Sequence, residues 1–171
     1  MMSELNDMCR AVKVNKISFV LNPQDCWHAF DEKFDSIVNS QDWQEMKFLN
    51  ESADAINEKI SEVPNNKGGV YIFFLRPDIV PVVHKYILYV GRVQCTEYQN
   101  LRKRFREYLT DTRVYIELMR ETWGKDLYIR YLPLTDNELI KSLEKELIRV
   151  IIPPYNSEYP GILNKAVKAA F

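Results

Sequence analysis

A carboxylate stands where a helix should be apolar. On a wheel advancing ~100° per residue, Leu139, Ile140, Leu143, Leu147, Val150 and Ile151 form one apolar arc with Ile148 at its far edge. Glu144 falls inside that arc, between Ile151 and Ile148, whereas Glu146 falls at the opposite edge beside Ser142. A core-facing carboxylate is costly unless a cation or hydrogen bonds compensate it. An ion pair with Arg or Lys would do so; so would a divalent metal, since carboxylate oxygens suit Mg²⁺ or Mn²⁺. Upstream, Arg102, Lys103, Arg104 and Arg106 crowd four cations into five positions. Arg104 lies one turn before Tyr108, so the two project from one side of a helix. Cations beside aromatic rings suit a phosphodiester, with forks for the phosphate and rings against sugar and base. They also suit an ordinary solvated face. Tyr71 and Tyr89 lie on neighbouring predicted strands near Gly69 and Gly91, where a missing side chain lets another group approach the backbone. Either phenol is equally compatible with core packing.

The elements that must position these residues are legible from period and turn chemistry. Residues 69–75 (GVYIFFL) and 86–90 (YILYV) are β-branched and aromatic runs of strand length, and Pro77 and Pro81 between them predict an enlarged antiparallel hairpin. Residues 100–109 carry Leu101, Phe105 and Tyr108/Leu109 at helical spacing; 112–122 read as a further helix ending near Gly124. Residues 127–132 (LYIRYL) are a third strand. Thr135 and Glu138 form a capping box opening a helix that runs to about Ile152, where Pro153-Pro154 stops it. The order β-β-α-α-β-α predicts an α/β (α+β) fold with a small, three-stranded, mostly antiparallel sheet flanked by helices. Upstream, residues 26–38 and 41–63 read as helices, with a weak strand at 17–21. The turn formers at 64–69 place a boundary there. It separates a helical accessory region (1–66) from the sheet-bearing domain (67–157), with 158–171 a tail packing on it.

The chain has 171 residues, 46% hydrophobic and 27% charged, with 23 basic and 24 acidic side chains. That balance describes a globular domain and excludes a disordered or collagenous chain. No apolar run approaches the ~18 residues of a membrane span, and the first residues lack a signal peptide's apolar core. Three cysteines, Cys9, Cys26 and Cys95, without metal-ligand spacing fit a reducing, cytoplasmic compartment. With His28 and His84 the only histidines, a histidine cluster carries no chemistry here. Charge is uneven. Residues 1–66 hold 6 basic and 12 acidic side chains, residues 67–171 hold 17 and 12. A basic second half can engage a phosphate backbone; an acidic first half suits docking to a protein, to a second copy, or to the basic half itself.

In order, Gly69-Val70-Tyr71, Tyr89-Val90-Gly91, the helix with Arg104 and Tyr108, Glu144, and Pro154-Tyr155-Asn156 resemble the GIY-YIG nuclease superfamily. The strongest local likeness is to the N-terminal nuclease domain of the nucleotide-excision-repair incision subunit, over roughly residues 67–157. The resemblance implies a metal-dependent endonuclease that hydrolyses DNA phosphodiester bonds. Its active-site set would be Tyr71, Tyr89, Arg104, Tyr108, Glu144 and Asn156. Glu144 would hold one Mg²⁺ or Mn²⁺, and a tyrosine (Tyr71) or the metal would activate the attacking water. Arg104 would contact the scissile phosphate, Arg92 would clamp it where the repair subunit usually has lysine, and Arg102, Lys103 and Arg106 would bind substrate. The hairpin, with eighteen positions from Tyr71 to Tyr89, and the stretch 93–99 are longer than in compact members, and Tyr108 stands where other branches carry histidine. A non-catalytic module binding nucleic acid or protein on the same fold is the competing expectation.

Overall fold

A computed structural model describes residues 30–77 and 85–160. The central strand is β2 (Gly68–Leu75), buried at all eight positions. Such a run has no solvent face, so both sides must be covered. Its alternation sends Tyr71, Phe73 and Leu75 into one core and Val70 and Ile72 into the other. β2 pairs antiparallel with β3 (Tyr86–Val93) on one side and β4 (Leu127–Leu134) on the other. With β1 (Gln44–Lys47), the order of the described strands is β1-β4-β2-β3, which leaves β3 an outer strand.

The fourth strand corrects the three-strand expectation. β1 (Gln44–Lys47) pairs with β4 inside the stretch expected to be a helix over 41–63. The apolar residues there recur at mixed steps because they serve a strand, a Leu49–Ile56 bridge and a 3₁₀ turn at Glu58–Glu62. Phe48, Leu49, Ile60 and Val63 enter the same core as Tyr71 and Phe73. The boundary drawn at 64–69 therefore does not divide the packing, and residues 44–63 are part of the sheet domain. Of the expected helix over 26–38, the described part is a 3₁₀ turn (Glu32–Phe34) leading into a single turn, α1 (Asp35–Val38). The expected strand at 17–21 and the tail beyond 160 lie outside the described residues, although Tyr159 packs in the second core. Among the described residues no helix is long and apolar enough to cross a membrane.

On the Tyr71 face lie α2 (Leu101–Glu107) and α3 (Val114–Trp123), close to their predicted bounds. The other face is covered by α4 (Asn137–Ile151), through Ile140, Leu143, Leu147 and Ile148. Its N-cap is Asp136 rather than Thr135: the Asp136 carboxylate accepts from Glu138 N–H and Leu139 N–H at 2.9 and 3.1 Å. Aspartate caps as well as threonine does, so the helix starts one residue later than the capping box suggested. At the far end Ile152 adopts the left-handed conformation (φ 51°). Proline at 153 disfavours the right-handed helix at the residue before it, and burial of the Ile152 side chain in the second core holds the bend.

Two glycines are required by close approach. A Cβ on Gly69 would stand 2.1 Å from the Leu132 carbonyl oxygen. A Cβ on Gly91 would stand 2.7 Å from two carbons of the Tyr71 ring, because that ring lies over β3 at this point. Replacing Gly91 with alanine is expected to destabilise the protein by about 1–3 kcal/mol, the cost of overpacking. In chemical denaturation the effect should be strongly non-additive with Tyr71→Leu, which removes the ring that the new methyl would meet.

Candidate active site

The site forms around the open edge of β3. Register pairs Phe73 with Tyr89 but Phe74 with Ile87, so Leu88 is an extra residue in β3. The bulge puts Leu88 and Tyr89 on the same side of the sheet; bulges are common beside functional sites. Val90 and Arg92 then fall on the α4 side, while Gly91 lies under Tyr71.

Asparagine side chains hold α4 to this strand at both ends. The Asn156 carboxamide accepts from Val90 N–H (2.9 Å) and donates to the Val90 carbonyl (2.8 Å). It fills an edge position as a missing strand would. Tyr155 N–H adds a bond to the Leu88 carbonyl at 2.9 Å. At the start of α4, Asn137 repeats the pattern on Cys95, accepting at 2.9 Å and donating at 3.2 Å. Glu144, midway between these ties, is set opposite Arg92, whose Nε donates to Oε2 at 2.7 Å.

Tyr89, Arg92, Glu144 and Asn156 line one cavity of about 590 Å³. Of the expected site residues, these four come together. Arg113, Tyr115, Tyr155 and Glu158 line it too, and sequence reasoning missed them. Adjacency to Asn156 was the signal available for Tyr155 and Glu158; Arg113 and Tyr115 carried none, being two ordinary residues at the start of a helix. Arg113 donates to Asp111 Oδ2 at 2.7 Å, and its guanidinium lies 5.8 Å from the centre of the Tyr108 ring.

Tyr71, Arg104 and Tyr108 form a second cluster on the opposite face of the sheet from α4. The Tyr71 and Tyr108 hydroxyls are 2.8 Å apart. Arg104 Nε donates to the Tyr71 oxygen at 3.4 Å, Nη1 donates to Glu107 at 3.1 Å, and the guanidinium stacks 4.8 Å over the Tyr108 ring. The projection of Arg104 and Tyr108 from one side of the helix is thus realised. The cluster adjoins the cavity through Tyr108, whose ring contacts Tyr89 (centroids 6.3 Å apart). Arg102 and Lys103 are occupied elsewhere, donating to the Val63 and Tyr98 carbonyls at 2.7 and 2.8 Å, and Arg106 is exposed.

Electrostatics separates the two clusters. Tyr71 is 1% exposed, and burial pushes its pKa well up against the opposing pull of Arg104. Burial does the same to Tyr108, with the neighbouring phenols adding to it. Both are neutral phenols at physiological pH. Arg104 is held charged: burial works against it, but the phenol oxygens and Glu107 outweigh that cost. Glu144 behaves differently. Burial raises its carboxyl pKa, Arg92 pulls it down, the charge of Glu158 pushes it up again, and the result lies above the ordinary value. Arg92 alone does not compensate this carboxylate.

That deficit is what a divalent cation would fill. No group of three or more His, Cys, Asp or Glu side chains stands together among the described residues. A cation at Glu144 would therefore keep several waters, which suits magnesium, and the cavity has room for them.

No family model matches the chain, and no curated protein matches it. Two solved structures are similar to it, both of the GIY-YIG N-terminal endonuclease domain of UvrC from Thermotoga maritima, each a tyrosine-to-phenylalanine point mutant bound to its catalytic divalent cation. They are 21% and 22% identical, cover 60% and 59% of this chain and 100% and 99% of their own, and give TM-scores of 0.43 and 0.42.

The raised Glu144 pKa has a sign that can be checked. Below the unfolded glutamate value of ~4.3 the carboxyl is protonated in both states, and Glu144→Gln should leave stability unchanged apart from a constant offset. As pH rises through the higher folded value, the wild type loses stability relative to the variant. Denaturant titrations of both proteins from pH 3 to 8 should show the stability difference moving in favour of Glu144→Gln as pH rises, relative to its value at pH 3. A flat difference would mean that Arg92 compensates the charge fully.

Proposed function

We propose that the protein is a metal-dependent endonuclease acting on DNA phosphodiester bonds. One observation carries the reading: a partly buried carboxylate shares a water-accessible cavity with two arginines, a phenol and an asparagine. Phosphodiester hydrolysis requires a water nucleophile, neutralisation of charge on the transition state, and a fixed line of attack. Arg92 and Arg113 face the cavity and would clamp the phosphate oxygens; a guanidinium stays protonated and cannot serve as base. Tyr89, which lines the cavity with Arg113, would orient the water or, as a phenolate, accept its proton. Glu144 would hold Mg²⁺ or Mn²⁺, which when bound supplies Lewis-acid stabilisation of the phosphate. Asn156 keeps β3 and α4 in register. Tyr71 and Tyr108, buried and neutral, position Arg104, whose guanidinium, like that of Arg113, lies against the Tyr108 ring. The resemblance gave Tyr71 the base role. Its burial favours Tyr89 for proton acceptance, with Tyr71 as the support behind it.

The Arg92–Glu144 ion pair at 2.7 Å is the observation that favours a second reading, a non-catalytic module that binds nucleic acid. Incubating the full chain with supercoiled and branched DNA plus Mg²⁺ or Mn²⁺ separates the two. Cleavage should fall by about 10²–10³ in Arg92→Ala, the range for losing one preorganised donor to transition-state charge, and to background in Glu144→Gln. Salt-sensitive binding without cleavage, unchanged in Glu144→Gln, would establish the binding module instead. Independently of turnover, millimolar Mg²⁺ should raise the melting temperature of the wild type and not of Glu144→Gln, since a ligand that binds only the folded state stabilises it.

A further inference from the structure

The cavity is bordered by an aromatic surface that the hydrolytic reading leaves unused. Tyr115, in the first turn of α3, is 51% exposed. Its ring lies against Tyr155 in a stacked arrangement, centroids 6.1 Å apart and planes 25° from parallel. Tyr155 is fixed from behind: its backbone is pinned to Leu88, and its hydroxyl accepts from Trp123 Nε1 at 3.3 Å. Val114 and Leu118, beside Tyr115 on the same helix, are also exposed. A large ring held in place yet half open to solvent is poised for a flat partner, and aromatic rings take nucleobases whatever their sequence. Arg113, the residue before Val114, lines the same cavity with Glu144.

We propose that Tyr115, backed by Tyr155, is a stacking platform for an unpaired nucleobase next to the phosphate held at Arg92 and Arg113. The platform rests on the nuclease reading for the identity of the phosphate and deepens it by naming the substrate class. A base inside a duplex offers its faces only to its neighbours in the stack, so it must leave the stack to lie on a protein ring. The preferred DNA is therefore unpaired or distorted at the site of action: a gap, flap, bulge or single strand rather than intact duplex.

The test reads binding in EDTA, without turnover, using the full chain and DNA carrying 2-aminopurine either in a single-stranded gap or within a continuous duplex. The gapped probe should bind more tightly and its fluorescence should be quenched on binding. Tyr115→Ala should weaken gapped-probe binding by roughly 5- to 100-fold, as expected for losing one base stack, and abolish the quench, with little effect on the duplex. Tyr115→Phe should retain both. Arg113→Ala should weaken both probes and reduce the salt dependence. Equal binding of the two probes, or a quench that survives Tyr115→Ala, overturns the platform. The two proposals fail separately. A Tyr115-dependent quench in a protein that never cleaves leaves the platform standing and removes the nuclease. Cleavage of gapped and continuous DNA at equal rates, indifferent to Tyr115→Ala, does the reverse. Absence of DNA binding by the wild type overturns both.

Discussion

The site depends on how the outer edge of β3 is closed. An edge strand presents unpaired amides and carbonyls, which proteins must cover, pair or blunt. Here the covering is done by a side chain: the Asn156 carboxamide takes both backbone groups of Val90, while Asn137 does the same for Cys95. Because these asparagines flank α4, the two clamps fix the helix along the strand. The opposition of Glu144 and Arg92 follows from them. A buried amide making two good hydrogen bonds contributes modestly to stability, but breaking it leaves buried polar groups unpaired. Its larger effect is on register, since a slip of α4 along β3 would take Glu144 away from Arg92 and from the cavity.

The same edge explains why the functional groups divide into two clusters. Residues alternate across a strand, so Tyr71 and Arg92, which neighbour each other across the β2–β3 hairpin, must send their side chains to opposite faces. The face under α2 and α3 is dry and aromatic: Tyr71, Phe73, Phe105 and Tyr108 meet edge-to-face at 5.0–6.2 Å, the geometry that ring quadrupoles prefer. The other side opens to water beside α4. Tyr89 belongs to the first cluster by packing and lines the cavity as well.

Much of this was legible in the sequence, and the failures have physical causes. β2 was readable as a β-branched and aromatic run of strand length, and α4 because it has a strong period and a clear stop. The glycines at 69 and 91 marked close approaches that the structure realises at Leu132 and Tyr71. Glu144 was visible as a charge breaking an apolar arc, although the arc could not say whether its partner would be Arg92 or a metal. Residues 41–63 misled because three short elements, packed on one core, scattered apolar positions at spacings that imitate a helix. The face on which Tyr71 stands relative to Glu144 was not readable at all, since it depends on pairing between strands far apart in the chain. Arg113 and Tyr115 were invisible for the same reason: only the fold brings the start of α3 to the edge of β3.

The ion pair at Glu144 is best understood through the chemistry of arginine. A lysine at position 92 would present a compact, strongly hydrated point charge, whereas arginine offers a planar fork that can share its donors between a carboxylate and a phosphate. Arg92 uses Nε on Glu144, and its side chain remains one-third exposed at the cavity. It can thus hold the carboxylate in place and still present its outer nitrogens to an anion. Burial raises the Glu144 pKa more than Arg92 lowers it, which leaves the carboxylate short of positive charge. An anionic substrate drawn to Arg92 and Arg113 would deepen that shortage. Cation binding at Glu144 would relieve it, so occupation by phosphate and by a divalent ion should favour one another.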